Sequence, residues 1–183
     1  MTDQTCPVSG LSSSIGVREG GSVFWFSTST WWAIGSAKNP HIFLSVTKEG
    51  NSAVFSSSGN SDCHVILRGG KEPNYSAEFI SEASNTLKSS NLEESLMVDM
   101  SHGNSQKQHK NQIEVCNNVS SQISSGENRI VGVMIESNIE EGNQSMKDIN
   151  NLVYGKSITD ACLNFEDTKS CLEKLATSIQ ERR

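Results

Sequence analysis

The sequence has few of the features that mark membrane-bound or nucleic-acid-binding proteins. No apolar run reaches the roughly 20 residues that a membrane-spanning helix requires, and the aromatic stretch Val23–Ile34 is interrupted by serine and threonine. The formal net charge is -6, and no basic stripe offsets the acidic surface, which argues against binding to nucleic acid. We therefore expect neither a membrane nor a nucleic acid as a partner.

Signs of secretion are also few. The five cysteines are an odd number and include no C-x-x-C pair, which favours reduced thiols over a disulfide framework. The first residues do not combine a basic segment with an apolar one, as a secretory signal does. We expect a cytoplasmic protein.

Several common catalytic motifs are missing. The sequence contains no G-x-S-x-G nucleophile elbow and no glycine-rich loop of the Rossmann or P-loop type. Its 183 residues suit one ordinary domain, and a closed eight-stranded α/β barrel needs about 250. We expect residues 1–183 to form a single domain.

Short β-branched segments alternate with segments of helical periodicity. The strand candidates are 15–17, 41–46, 52–55, 63–67, 96–100 and 131–135. The helix candidates are 76–89, a segment that Ser105 could cap and Gly126 close, and a last segment from about residue 167. This alternation predicts an α/β fold with parallel strands.

Three polar residues close successive apolar runs at equal spacing: Arg68, His102 and Glu136. The spacing suits a strand, a crossover helix and a return to a parallel strand, which takes roughly 30 residues. Active sites of such folds lie at the carboxyl ends of the strands. The pattern therefore indicates an enzyme and the edge of its sheet that would carry the site.

His102, Glu136 and Asp160 offer one imidazole and two carboxylates, which can bind a divalent metal ion. The alternative is that each caps a helix or pairs with a neighbour. Cys162 is either a softer ligand or, more commonly for this residue type, a buried thiol. His109 is predicted on the exposed side of a helix.

The segment from Arg68 to Lys71 places two cations around Gly69 and Gly70. Backbone amides of such a glycine turn can approach a phosphate closely, and the cations can neutralise it. The alternative, slightly favoured by this segment alone, is a solvated turn after a strand.

Several motifs together resemble the carboxyl-terminal half of the type I 3-deoxy-D-arabino-heptulosonate 7-phosphate (DAHP) synthases. The resemblance runs from about Ala33 to Arg183. Its motifs are Phe-Leu-Ser-Val-Thr-Lys at 43–48, Ser-Gly-Asn at 58–60, Ile-Leu-Arg-Gly-Gly-Lys at 66–71, Asp-Met-Ser-His-Gly-Asn-Ser at 99–105, Gly-Val-Met-Ile-Glu-Ser at 132–137, Glu-Gly-Asn-Gln at 141–144 and Tyr-Gly-Lys-Ser-Ile-Thr-Asp-Ala-Cys at 154–162.

The resemblance implies part of an eight-stranded (β/α)8 barrel, roughly strands 5 to 8, with a short β-hairpin insertion. It implies condensation of phosphoenolpyruvate with erythrose 4-phosphate, the first step of the shikimate pathway and of aromatic amino acid biosynthesis. His102, Glu136 and Asp160 resemble three of four ligands to a metal of the Mn, Fe, Co or Zn class. Arg68 resembles the arginine that holds the phosphoenolpyruvate phosphate, and Lys71 is a further substrate-binding candidate.

Departures from the family pattern lie in the first part of the sequence. The Gly-Pro-Cys-Ser motif of the fourth metal ligand and the Lys-Pro-Arg-Thr motif that binds erythrose 4-phosphate are missing. Arg18 stands for a substrate-binding lysine, and residues 1–32 diverge. We therefore expect a truncated member, and the alternative function is an inactive remnant or a regulatory partner of a full-length synthase.

A second implication concerns regulation. In feedback-inhibited members of the family, an aromatic amino acid binds near the fifth and sixth strands. Leu11, Ser12, Phe43 and Ser45 occupy the matching positions. The alternative is that Phe43 is a core residue.

Half of a barrel would leave two open parallel edges and an uncovered core. We expect the isolated chain to fold weakly, to associate into a homo-oligomer, or to need a full-length synthase as partner. Circular dichroism melting combined with a measurement of molecular mass checks this. A sharp cooperative transition in a monomer would contradict it.

Overall fold

The computed structural model describes residues 14–17, 34–147 and 149–182. The strands are β1 (Ser14–Val17), β2 (His41–Val46), β3 (Ser52–Ser57), β4 (His64–Leu67), β5 (Leu96–Asp99), β6 (Ile130–Met134), β7 (Glu140–Asn143) and β8 (Lys156–Ser157). The helices are α1 (Ala77–Ser89), α2 (Asn111–Ser124) and α3 (Phe165–Arg182), with one 3₁₀ turn at Ile149–Asn151 and a helical segment at 34–38. The candidates Leu11, Ser12 and Arg18 and the aromatic run at 22–32 lie outside the described residues.

Four strands form one parallel sheet in the order β1-β4-β5-β6. Leu67 of β4 aligns with Val98 of β5, and Val98 aligns with Val133 of β6. The predicted α/β fold with parallel strands is confirmed. The shared register brings the carboxyl ends of β4, β5 and β6 to the same edge.

The helices bury one face each against this sheet. In α1 the apolar residues Ile80, Ala83 and Leu87 recur at helical spacing and are at most 1% exposed. They belong to one core cluster with Val65, Leu67, Leu96 and Val98 of the sheet and with Cys116, Val119, Cys171 and Leu175 of α2 and α3. Gly126, in the left-handed region at φ 105°, ends the turn after α2 as predicted.

Two helix starts differ from the sequence-based prediction. Ser105 does not cap α2, which begins at Asn111. The hydroxyl of Ser105 donates to the backbone oxygen of His102, because residues 101–110 form a series of turns instead. α3 begins at Phe165, two residues before the predicted start, because the Asn164 side chain accepts a hydrogen bond from the backbone N–H of Asp167.

β2 and β3 form an antiparallel hairpin, as the predicted insertion requires. Phe43 stacks on Phe55 with ring centroids 5.9 Å apart, and it is 50% exposed. The alternative that Phe43 is a core residue is therefore wrong for the described residues. Ser45, on the same strand, is also exposed.

A long excursion follows β6 and was not predicted as ordered structure. β7 and β8 pair in it as a separate two-stranded sheet. The backbones of Gly142 and Cys162 exchange hydrogen bonds of 2.8 and 3.2 Å, and the N–H of Leu163 donates to the oxygen of Glu136. These bonds return the chain to the end of β6 before α3 begins.

Two findings in the described ranges concern membrane helices and cysteines. No helix there is both long and apolar enough to cross a membrane. Four cysteines are free and buried, and they are Cys63, Cys116, Cys162 and Cys171.

Shortening Leu87 tests the α1 contact with the sheet. Leu87→Ala removes a side chain that is 1% exposed, and we expect the free energy of unfolding to fall by about 2–4 kcal/mol. Leu172→Ala is the matched control, since Leu172 is 52% exposed, and its effect should stay within about 0.5 kcal/mol. Denaturant titration followed by circular dichroism measures both, and equal losses would contradict this packing.

Candidate metal and anion site

The carboxyl ends of three neighbouring strands each deliver a polar side chain. Arg68 follows β4 directly, His102 lies three residues after β5, and Glu136 lies two residues after β6. These positions are adjacent because β4, β5 and β6 are hydrogen-bonded neighbours. The excursion after β6 adds Asp160 to the group, so residues far apart in sequence share one edge of the sheet.

His102, Glu136 and Asp160 form a compact cluster. The Nε2 atom of His102 lies 3.3 Å from Oε1 of Glu136 and 3.9 Å from Oδ2 of Asp160. All three ligand atoms lie within 4.8 Å of one another. Ligands about 2.1 Å from a tetrahedral metal ion are separated by about 3.4 Å, so a small contraction would let these atoms hold one ion.

The imidazole of His102 has a fixed orientation. Its Nδ1 lies 2.6 Å from the hydroxyl oxygen of Ser101, and that hydroxyl donates to Oδ1 of Asp99 at 2.6 Å. Because the hydroxyl proton is engaged with Asp99, its oxygen faces a proton on Nδ1 of His102. In that tautomer the Nε2 lone pair points toward the two carboxylates, as a metal ligand requires.

Asp99 connects the cluster to Arg68, and the sequence analysis missed its role. Its side chain is fully buried, and Oδ2 lies 2.8 Å from Nδ1 of His102 and 3.4 Å from Nε of Arg68. A buried carboxylate is costly unless positive or polar groups surround it. The available signal was the Asp-x-x-His spacing at a strand end, which places a carboxylate behind a candidate ligand.

Gln112 of α2 holds Glu136 in place. This glutamine is 1% exposed, and its Nε2 donates to the backbone oxygen of Glu136 while its Oε1 accepts the backbone N–H, at 3.1 and 2.8 Å. Gln112 is a second site-supporting residue that the sequence analysis missed. Its place on the helical stripe resembles that of a core residue, so no local pattern distinguished it.

The pKa of the Glu136 carboxyl is raised. Burial is the largest cause, and the nearby acids Asp160 and Asp99 add to it, whereas His102 and Arg68 act in the opposite direction. The cluster therefore holds more negative charge than its surroundings favour, and a bound cation would relieve the excess.

Asp160 is the most exposed member of the cluster, with 73% of its side chain accessible. The side chain of Asn143 donates to the backbone oxygen of Thr159, which ties the segment before Asp160 to β7. The thiol of Cys162 donates to the backbone oxygen of Asp160 and is not a member of the metal cluster. Burial raises the pKa of this thiol, which favours the buried-thiol interpretation.

Arg68 and Lys71 line the same cavity as the acidic cluster. The cavity has a volume of about 480 Å³, and its polar lining includes Arg68, Lys71, His102, His109, Glu136 and Asp160. Gly69 adopts a φ of 70° in the turn between the two cations, a conformation that glycine allows without strain. The turn is thus part of a cavity wall and is not simply a solvated loop.

His109 lies elsewhere than predicted. It precedes α2 and lines the cavity, with 23% of its side chain accessible. Its Nε2 is buried without a hydrogen-bond partner, 3.9 Å from Oε2 of Glu141. Lys110 pairs with the same carboxylate at 3.0 Å. The prediction of a solvated His109 on the exposed side of a helix is wrong.

The fold and the cavity together define a class of protein. A metal-binding cluster and a cationic glycine turn share one cavity at the carboxyl ends of parallel strands, where α/β proteins place their active sites. The class is that of α/β proteins with a candidate site, formed by a cluster that could hold a metal ion and by a turn with two cations.

Comparison with known proteins gives the family. The sequence profile of the DAHP synthetase I family matches residues 2–173. The chain belongs to this family, as its motifs predicted.

Two similar proteins are named phospho-2-dehydro-3-deoxyheptonate aldolases. The chain is 54% identical over 151 residues to the Phe-sensitive phospho-2-dehydro-3-deoxyheptonate aldolase of Escherichia coli strain K12, covering 82% of this chain and 43% of that protein. It is 49% identical over 152 residues to the phospho-2-dehydro-3-deoxyheptonate aldolase of Haemophilus influenzae, covering 82% and 42%. The chain thus spans less than half the length of these relatives.

A solved structure has the same fold. The phospho-2-dehydro-3-deoxyheptonate aldolase of Francisella tularensis SCHU S4 superposes with a TM-score of 0.82 at 45% identity. The match covers 96% of this chain and 51% of that one.

Removing the Glu136 charge tests the electrostatics of the cluster. The pKa of Glu136 is raised in the folded state, so folding favours its protonated form. The contribution of Glu136 to stability therefore declines as the pH rises from its pKa in the unfolded chain through its higher pKa in the folded chain. At pH 7, Glu136→Gln should therefore raise the melting temperature of the chain in chelator.

Manganese should reverse that order. It should stabilise the parent chain and leave the melting temperature of Glu136→Gln nearly unchanged. Melting scans with EDTA and with MnCl₂ measure both effects. Glu141→Gln is the control, because the pKa of Glu141 is lowered by its hydrogen bond with Lys110. Destabilisation of Glu136→Gln in EDTA would contradict the argument.

Proposed function

We propose that this chain carries the metal-binding and phosphoenolpyruvate-binding part of a DAHP synthase active site. One observation carries the proposal: the ligand atoms of His102, Glu136 and Asp160 lie within 4.8 Å of one another, in the same cavity as Arg68 and Lys71. Family membership and the names of the relatives supply the reaction. The part of the barrel would correspond to its strands 5 to 8, with β2 and β3 as the insertion.

The residues of the cluster fit a divalent ion of the Mn, Fe, Co or Zn class, because their donor set combines one imidazole nitrogen with carboxylate oxygens. When bound, such an ion would act as a Lewis acid on the aldehyde oxygen of erythrose 4-phosphate. Nε2 of His102 would face the ion, because Ser101 and Asp99 lie against the Nδ1 atom of the same ring. We propose that His102 is a catalytic residue as well as a metal ligand.

Arg68 and Lys71 would hold the phosphate of phosphoenolpyruvate. A guanidinium and an ammonium form charge-assisted hydrogen bonds with a dianionic phosphate. In the condensation, the enol carbon of phosphoenolpyruvate bonds to the aldehyde carbon of erythrose 4-phosphate, water adds to the carbon that bears the phosphate ester, and inorganic phosphate leaves. Arg68 and Lys71 would thus hold the phosphate ester of phosphoenolpyruvate in a fixed position relative to the His102 cluster in the same cavity.

Further parts of the proposal come from the family alone. Arg18 would add a third cation to the substrate site. Leu11, Ser12, Phe43 and Ser45 would bind an aromatic amino acid effector, and the exposed Phe43 is accessible for this. We further propose a cytoplasmic protein that forms a homo-oligomer or associates with a full-length synthase.

The second candidate function is that of an inactive remnant or regulatory partner of a full-length synthase. It would use the same cluster and the same cationic turn for binding without turnover.

Substrate binding and phosphate release separate the two candidates. With MnCl₂ and both substrates, an active chain releases inorganic phosphate, whereas a remnant binds phosphoenolpyruvate without turnover. In either case Arg68→Ala should weaken phosphoenolpyruvate binding about 10- to 100-fold in calorimetry, since it removes a charge-assisted hydrogen bond of about 1.5–3 kcal/mol.

Arg182→Ala is the matched control for lost charge. Its guanidinium donates to the backbone oxygen of Glu127, and Arg182 belongs to α3. Its affinity for phosphoenolpyruvate should equal that of the parent chain. A parent chain that binds neither Mn²⁺ nor phosphoenolpyruvate would refute both candidate functions.

A further inference from the structure

The loop that carries Arg68 and the loop that carries His102 touch backbone to backbone. A Cβ atom placed on Gly69 would lie 2.5 Å from the backbone nitrogen of Asn104, and one placed on Gly103 would lie 2.7 Å from the carbonyl carbon of Gly69. The N–H of Gly103 donates to the backbone oxygen of Arg68 at 3.2 Å. Only glycine at both positions permits this approach, so the two loops are built to meet.

The side-chain amide of Asn104 lies at this meeting point. Asn104 is 3% exposed, and its Nδ2 donates to the backbone oxygen of Leu67 at 3.0 Å and to that of Asp99 at 2.7 Å. Its Oδ1 accepts the backbone N–H of Asn74 at 2.7 Å. Both amide protons and the amide oxygen are therefore engaged, each with a different backbone segment.

Asn74 completes the connection. Its own Oδ1 accepts the backbone N–H of Gly69 at 2.8 Å. The amide of Asn104 thus holds the last residue of β4, the last residue of β5 and, through Asn74, the turn between Arg68 and Lys71.

The segment after His102 needs such support. His102, Gln106 and Lys107 all have a positive φ, at 49°, 54° and 60°. Residues other than glycine rarely adopt this backbone conformation, and they keep it only where the surrounding structure fixes it. Asn104 lies inside this strained segment and is its buried side-chain anchor to β4.

We propose that Asn104 is a positioning residue that sets the distance between the metal-binding cluster and the Arg68–Lys71 turn. It touches neither metal nor substrate and acts through the backbones that carry them. The inference rests on the proposed function for what the two loops bind, but the anchoring itself belongs to the unliganded chain.

Gln112 provides the matched comparison. It is also a buried amide with two backbone hydrogen bonds, yet both go to Glu136. Loss of either amide removes similar chemistry from a similar environment. Of these two amides, Asn104 is the one that contacts the ends of both β4 and β5.

The first experiment measures Mn²⁺ and phosphoenolpyruvate binding separately, by calorimetry on the full chain. Asn104→Ala should weaken both affinities, each about tenfold, because buried backbone carbonyls lose their donors. Gln112→Ala should weaken Mn²⁺ binding and leave phosphoenolpyruvate binding within about twofold. Asn104→Asp should behave like Asn104→Ala, because a carboxylate keeps the acceptor and loses both donors.

The second experiment needs no ligand. Hydrogen–deuterium exchange of the apo chain should accelerate at the amides of Gly69, Asn74 and Gly103 in Asn104→Ala. The same amides should stay protected in Gln112→Ala. This readout separates the two proposals: a parent chain that binds neither probe refutes the proposed function, and the exchange data still decide the anchoring by Asn104.

Two outcomes would overturn the proposal for Asn104. One is unchanged exchange at Gly69, Asn74 and Gly103 in the Asn104→Ala variant. The other is an equal loss of both affinities in Asn104→Ala and Gln112→Ala, which would indicate general loosening of the site.

Discussion

The buried carboxylate of Asp99 is the interaction on which the site depends. It is fully buried at the end of β5, with His102 on one side and Arg68 on the other. Arg68 offsets its negative charge, and Nδ1 of His102 lies 2.8 Å from Oδ2, although that oxygen accepts no hydrogen bond. The groups around this carboxylate are therefore the candidate phosphate ligand and the candidate metal ligand. The stability of this edge of the sheet and the geometry of the site therefore depend on the same contacts.

The acidic cluster in front of Asp99 has the opposite character. Glu136 and Asp160 approach the same imidazole nitrogen, and burial together with neighbouring acids raises the pKa of Glu136. The amides of Gln112 and Asn104 hold the backbones that impose this proximity. The fold thus maintains an arrangement of negative charge that is unfavourable without a cation, which is characteristic of functional sites.

Family membership explains why these features occur together, while the extent of the match defines what this chain contributes. Its relatives are more than twice as long as the segment they share with it. The described residues contain the cluster, the cationic turn and the supporting amides. The activity of the whole enzyme therefore stays a proposal for this chain.

The sequence by itself determined the alternation of strands and helices and the three equally spaced residues at strand ends, because each depends on local periodicity and on the length of a crossover unit. The hairpin insertion was expected from the family resemblance. Tertiary structure decided the roles of Gln112 and Asn104, because their hydrogen bonds join segments far apart in the chain. It also decided the ion pair of Asp99 with Arg68, which the Asp-x-x-His spacing does not contain. It also decided the start of α2 and the place of His109, since the turns at 101–110 include a backbone hydrogen bond from Gly103 to Arg68 that no local pattern predicts. Local patterns carry no information about such contacts until the sheet brings the strand ends together.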